Sequence, residues 1–85
     1  MSAMLGGHEA VRIMVQEIGD VIGNRRLQAF ERAVRAELYK RHPLGGSAQD
    51  WISAIAHVIV DNDDTKADEG FKRGIRRIRA EAARR

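Results

Sequence analysis

The sequence predicts an all-α fold, a compact bundle of about four helices. Apolar residues recur at helical spacing in separate segments, and Gly or Pro residues interrupt those segments. The one run rich in β-branched residues, 56–60, has no second strand-like run to pair with, so a sheet is not expected. The expected helices cover residues 8–22, 25–41, 48–60 and 66–84.

The third segment, residues 47–60, is apolar around most of a helical circumference. A helix of this kind must be covered on nearly all sides, so we expect it to be the central helix of the bundle and Trp51 to be buried. Ser47 and Asp50 have the spacing of a capping box at its start, with Asp in place of the usual Glu.

The first two helices are amphipathic and are separated by a short turn. Gly23 suits the left-handed position that ends a helix, and Asn24 is a good N-cap for the next one. Pro43 is expected to stop the second helix. The two apolar faces comprise Val11, Met14, Val15, Ile18, Val21 and Ile22, and then Leu27, Phe30, Val34 and Leu38.

The fourth helix follows the polar break at residues 61–64, and Thr65 is its expected cap. Gly70 and Gly74 are expected to weaken its first turns. Its apolar stripe consists of Ala67, Phe71, Ile75, Ile78 and Ala82.

Length and composition bound the fold further. A chain of 85 residues buries only about 60–65% of its unfolded surface, so we expect a homodimer to complete the core. Residues 1–7 are expected to form a flexible tail and residues 8–85 a single helical domain. The chain has no cysteine, no signal-peptide pattern and no apolar run near the ~20 residues that span a bilayer, so a cytoplasmic protein without a membrane partner is expected.

Acidic and basic residues are distributed unevenly along the sequence. The net charge is +1 over residues 1–60, −4 over residues 61–69 and +6 over residues 70–85. Most of the basic residues are arginines, which suit bidentate contacts to phosphate or carboxylate. This bias fits either a functional requirement or an arginine-rich genome.

Two basic helix faces are the candidate nucleic-acid-binding sites. Helical spacing places one set on the second helix, away from its apolar stripe, and the other on the fourth helix, opposite Phe71. Arg can hold phosphates or guanine edges, Gln can read adenine, and Tyr can stack or contact the backbone. The predicted binding residues are Arg25, Gln28, Arg32, Arg35 and Tyr39, together with Lys72, Arg73, Arg76, Arg77 and Arg79.

Patterns typical of catalysis are weak. Ser53, His57 and Asp61 lie at four-residue spacing, but a Ser inside a helix lacks the sharp turn and free oxyanion donors of a working triad. The acidic run that begins at Asp61 has Lys66 and Lys72 where a calcium-binding EF-hand needs Gly and Glu. We therefore expect no catalytic residue, no cofactor and no metal site.

Two local patterns lie around Gly23. Gly19 and Gly23 have the glycine spacing of a helix-turn-helix, which would make residues 25–35 a recognition helix, although Asn24 and Arg32 stand where that motif has apolar residues. The residues Val15-Gln16, Ile22 to Arg25 and Ala33 to Ala36 resemble the omega subunit of RNA polymerase over about a quarter of the chain. The apolar third segment and the basic end depart from that family, so no family is assigned.

The expected function is therefore that of a small nucleic-acid-binding accessory or regulatory protein, with DNA as the favoured partner and mainly phosphate contacts. The alternative is a protein adaptor or inhibitor, associated with a phage or a polymerase, whose basic fourth helix docks on an acidic protein surface.

Overall fold

A computed structural model describes residues 7–84 of the chain. The prediction of an all-α bundle is confirmed, and the helix boundaries differ from the expected ones by at most two residues. The tail expected over residues 1–7 lies outside the described residues, apart from Gly7, which begins the first helix. The four helices are α1 (Gly7–Ile22), α2 (Asn24–Arg41), α3 (Ala48–Asn62) and α4 (Thr65–Ala83).

The helices pack as two antiparallel pairs. α1 lies against α4 over the most extensive interface of the described chain, and α2 lies against α3. Gly70, early in α4, meets Ile18, late in α1, whereas Gly74 meets Met14, so the first pair is antiparallel. α1 and α3 contact each other and both remaining helices, whereas α2 and α4 do not pack together within residues 7–84. The central position expected for α3 is therefore shared with α1.

The hydrophobic core lies where the two helix pairs meet. All four helices contribute to it, and between residues 8 and 84 no polar or charged side chain is buried. The buried cluster comprises Met14, Ile18, Ile22, Phe30, Val34, Leu38, Ala54, Ile55, Val58, Ile59 and Ala67.

Two apolar side chains differ from the sequence-based expectation. Ile13 lies outside the apolar face predicted for α1, yet it is buried, because α1 is covered by α4 as well as by α2 and α3. Trp51 was expected to be buried and is only partly so, because it lies beside the outer side of α1 rather than inside the cluster.

The α1–α2 junction is a single residue. Gly23 has φ 86°, a left-handed backbone conformation, and its N–H donates to the carbonyl of Gly19 at 2.8 Å. The expectation that Asn24 caps α2 was wrong, since Asn24 is already the first helical residue and Gly23 occupies the cap position. No side chain caps α2.

The other junctions are held by side-chain caps. Asp50 N–H donates to Ser47 Oγ at 3.3 Å and Ser47 N–H donates to Asp50 Oδ2 at 2.9 Å, which confirms the capping box of α3. At the α3–α4 turn, Asp64 Oδ1 accepts from Ala67 N–H at 3.1 Å. Asp64, rather than Thr65, therefore caps α4. Pro43 follows the end of α2 closely, as expected.

α1 and α4 approach each other most closely at two glycines of α4. A Cβ on Gly70 would lie 2.6 Å from the Cα of Ile18 and 3.0 Å from the carbonyl oxygen of Glu17. A Cβ on Gly74 would lie 2.6 Å from the Sδ of Met14 and 3.3 Å from its Cα. The sequence indicated only that these glycines weaken α4, whereas the fold uses them to bring two backbones together.

No helix within the described chain is long and apolar enough to cross a membrane.

Gly70→Ala is expected to destabilise the protein. Alanine gains about 1 kcal/mol in helix propensity, but its methyl group must push apart two backbones, and overpacking of this kind costs about 1–3 kcal/mol or more. Because the clash is with backbone atoms, the cost should lie near the upper end of this range, and we expect a net loss of about 2 kcal/mol in the free energy of unfolding, measured by urea denaturation and circular dichroism.

Gly19→Ala is the matched control, because a Cβ there would meet only the side chain of Leu27, at 2.8 Å, which can change rotamer. A Gly70→Ala protein at least as stable as Gly19→Ala would contradict the close backbone contact.

Asp50 is expected to contribute to acid sensitivity. Hydrogen bonds from the backbone N–H and the hydroxyl of Ser47 hold the pKa of the Asp50 carboxyl below its usual value. The lowered pKa stabilises the fold above the unfolded-state pKa of about 3.9, and this stabilisation is lost as the pH falls through the folded-state pKa. Asp50→Asn should therefore flatten the dependence of melting temperature on pH below about 4. Asp20→Asn, at an exposed position, is the control, and an equal effect of both substitutions would argue against the capping box as the cause.

Candidate nucleic-acid interface

The outer face of α2 presents the five predicted residues together. All five are exposed, while the opposite side of the helix is buried through Phe30, Val34 and Leu38. Helical periodicity explains the separation, because the two sets differ by about half a turn around the axis. We call this surface the arginine face of α2, and its members are Arg25, Gln28, Arg32, Arg35 and Tyr39.

The cations of this face are mostly free of intramolecular partners. Arg25 and Arg32 form no ion pair within the described chain. Arg35 Nη2 lies 3.5 Å from Glu31 Oε2, an exposed pair of the kind worth only about 0.3–0.5 kcal/mol. Between these side chains lies a shallow depression of about 280 Å³, lined by Gln28, Glu31, Arg32 and Arg35. An incoming anion would therefore compete with one weak ion pair only.

The N-terminus of α2 adds to this positive potential. The first turn holds no acidic residue and no side chain caps its backbone N–H groups. Those N–H groups and the aligned peptide dipoles give the end of a helix a partial positive charge. Arg25 lies in this turn, whereas the neighbouring Arg26 is engaged by Asp64 at 2.9 Å.

Small residues border the arginine face. Ala29, Ala33 and Ala36 are exposed on the side of α2 next to it. Because their side chains project little from the helix, the backbone of α2 can come close to a partner surface.

The basic face of α4 is partly neutralised by its own helix. Lys72 Nζ lies 3.0 Å from Asp68 Oδ2, and Arg73 Nη2 lies 2.9 Å from Glu69 Oε1. Both pairs have four-residue spacing and are exposed, so each stabilises α4 only weakly. They nevertheless place a carboxylate beside two of the predicted binding residues.

Arg76 and Arg79 are the predicted binding residues of α4 that remain exposed without an intramolecular partner in the described part of the chain. They point away from the contact with α1, which is made by Gly70 and Gly74.

Arg77 is occupied within the fold. Its Nη1 donates to Gln16 Oε1 and to Glu17 Oε2, each at 3.0 Å. The side chains of Arg77 and Glu17 are only 39% and 19% exposed, so this pair is better shielded from water than those along α4. Sequence spacing grouped Arg77 with the binding residues because it could not show that α1 lies beside it. We leave it out of the proposed contact set.

The two basic faces belong to different helix pairs. α2 packs on α3 and α4 packs on α1, with no packing between α2 and α4 in residues 7–84. The five residues of α2 therefore share one surface, and the predicted residues of α4 lie on another.

A small polar cleft of about 140 Å³ lies between α2 and α3. Arg41 Nη1 lies 3.4 Å from His57 Nε2, and His42 Nε2 lies 3.4 Å from Asp50 Oδ1. His57 is exposed, and its ring lies beside Arg41 of the neighbouring helix rather than beside Ser53 or Asp61 of its own helix. These contacts tie the end of α2 to α3.

Three of the acidic residues around the α3–α4 turn are also used internally. Asp64 caps α4 and pairs with Arg26. Asp68 pairs with Lys72, and Glu69 pairs with Arg73, each one turn further along α4. No group of three or more potential metal ligands is found in the part of the chain that the structure describes.

Comparisons of the chain with protein-family models, with curated proteins and with solved structures give no match. A function must therefore be argued from the exposed side chains.

Arg77 and Glu17 are expected to be energetically coupled. In a double-mutant cycle of Arg77→Gln and Glu17→Gln, we expect a coupling free energy of about 1 kcal/mol, because the pair joins two helices and is partly shielded. The corresponding cycle for Arg73 and Glu69 should give less than about 0.5 kcal/mol. Urea unfolding measures both, and equal coupling energies would contradict a structural role for Arg77.

Proposed function

We propose that this protein is a small accessory or regulatory protein that binds double-stranded DNA through the arginine face of α2. The observation that supports this most is the placement of Arg25 and Arg32 on one exposed helix face, two turns apart and without acceptors among residues 7–84. Two turns correspond to about 10.5 Å along the axis. Such cations can contact separate phosphates and release their counterions, which is the main source of DNA affinity.

The shape of the face favours DNA over double-stranded RNA. The major groove of B-DNA admits an α-helix, whereas the major groove of A-form RNA is deep and narrow. In this proposal the small exposed side chains of Ala29, Ala33 and Ala36 allow α2 to enter the major groove, where the exposed Gln28 would contact a base edge. Tyr39 and Arg35 lie further along the same face and suit phosphate contacts.

α4 supplies a secondary basic surface in this proposal. Arg76 and Arg79 contribute phosphate contacts, and Lys72 and Arg73 contribute less because Asp68 and Glu69 already neutralise them. The same pairing weakens the alternative function, in which α4 docks on an acidic protein surface, since a partner's carboxylates would have to displace those of the helix itself.

The homodimer expected from the short chain stays a prediction. Among the large apolar side chains of residues 8–84, Val60 and Leu44 are the most open to solvent, at 76% and 103% exposure. Light scattering on the protein and on its DNA complex gives the oligomeric state in both.

Two charge-matched variants test the binding face. Arg25→Gln/Arg32→Gln and Arg76→Gln/Arg79→Gln each lower the formal net charge from +3 to +1 and remove only arginines without an ion pair in the described chain. In an electrophoretic mobility shift titration at about 50 mM salt, we expect the α2 variant to raise Kd about tenfold or more and to reduce the salt slope by about two. The α4 variant should raise Kd by no more than about threefold.

Three outcomes separate the hypotheses. Absence of any complex between the wild-type protein and DNA at low salt would refute DNA binding. Equal losses in the two variants would show that net charge, rather than the arginine face, governs binding. A protein partner retained after nuclease treatment, and released by the α4 variant alone, would establish the alternative adaptor function.

A further inference from the structure

An open groove runs along the outer side of α1, with Trp51 of α3 as its opposite wall. Its volume is about 580 Å³, and its position is separate from the arginine face of α2. The lining residues are His8, Val11, Arg12, Val15, Gln16 and Trp51.

The floor of the groove is apolar. Val11 and Val15 lie one helical turn apart on α1, and both are only partly buried, as is Trp51. Covering such surface is worth roughly 25 cal/mol for each Å² removed from water. Tryptophan is among the residues that most often dominate binding energy at protein interfaces.

The rim of the groove carries one cation, Arg12. Arg12 is exposed and makes no ion pair within residues 7–84, and His8 is exposed beside it. None of the six lining side chains is a carboxylate. An occupant that combines apolar and acidic side chains would therefore satisfy both the floor and the rim.

The shape of the groove suits a helix. It is largely open to solvent, so it covers less of a small molecule than most ligand pockets do. Val11 and Val15 are about 6 Å apart along α1. Side chains four residues apart on a second helix have the same spacing and can pack against both valines.

A second copy of the chain is a poor occupant. In a two-fold dimer the same patch would face itself, which would bring two like-charged Arg12 side chains to one small interface. Residues 1–6 of the chain contain no carboxylate and so do not match the rim.

We propose that this groove is a docking site for an acidic amphipathic helix of a partner protein, one that places Leu or Ile side chains against Val11, Val15 and Trp51 and a Glu or Asp against Arg12. Because the groove and the arginine face of α2 lie on different helices, a molecule bound to DNA could hold such a partner at the same time. The inference does not depend on DNA binding, since none of its residues belongs to the arginine face.

Trp51 is the only tryptophan, so its fluorescence reports on the groove alone. The probes are two synthetic helical peptides without Trp or Tyr, one with a Leu face flanked by Glu and one with the same Leu face flanked by Lys. Titrated into the full chain, the Glu peptide should shift the emission of Trp51 to shorter wavelength in a saturable manner. The Lys peptide should bind at least about tenfold more weakly.

Arg12→Glu tests the charge requirement at an exposed position, so the fold, checked by circular dichroism, should be kept. We expect it to weaken binding of the Glu peptide about fivefold and to strengthen binding of the Lys peptide. Val11→Ser, a modest change of the floor, should weaken both peptides.

Contrary results would be equally clear. No emission change with either peptide up to about 1 mM, or equal affinity for both, would overturn the proposal. A concentration-dependent dimer that shields Trp51 would assign the groove to a second copy. The Met4→Ser/Leu5→Ser variant tests the third possible occupant. If its Trp51 emission shifts to longer wavelength with helicity unchanged, the groove is assigned to the chain's own first residues.

Discussion

The fold depends on one contact, the close approach of the backbones of α1 and α4 at Gly70 and Gly74. Without a Cβ at these positions, α4 lies near enough to bury Met14 and Ile18 of α1 almost completely. Dispersion contacts fall off steeply with distance, so a small separation of the two helices would weaken many contacts at once. The two glycines lower the intrinsic helix propensity of α4, but the tertiary packing that they allow outweighs this loss.

This contact also determines which surfaces remain available. Since α4 covers one side of α1, and α2 and α3 cover another, α1 offers solvent only a narrow outer strip, bordered by Trp51. α2 packs on one side only, through Phe30, Val34 and Leu38, and leaves about half of its circumference in water. A helix with one buried stripe on a small domain is well suited to present a regular row of charged side chains, because the core holds it rigidly from behind.

Local signals predicted much of this arrangement. The four helices, the stop before Pro43 and the capping box of Ser47 followed from periodicity and from residue types that act over a few positions. Partner-dependent features could not be predicted in this way. The burial of Ile13 and the packing role of Gly70 depend on α4 lying across α1. Likewise, the engagement of Arg77 depends on Glu17, sixty positions earlier. The arginine face of α2 is local to one helix, so the sequence could group its residues, whereas its ligand is inferred from the chemistry of those residues.

The pairing of α1 with α4 has a consequence for how the chain acquires its structure. The most extensive interface joins the first and last helices, so it closes a long loop and raises the contact order above that of a simple chain of neighbouring hairpins. During synthesis, Met14 and Ile18 should therefore stay partly uncovered until the segment containing Gly70 and Gly74 has left the ribosome, and stable folding should follow only then. The protein should consequently fold as one cooperative unit, with no stable half.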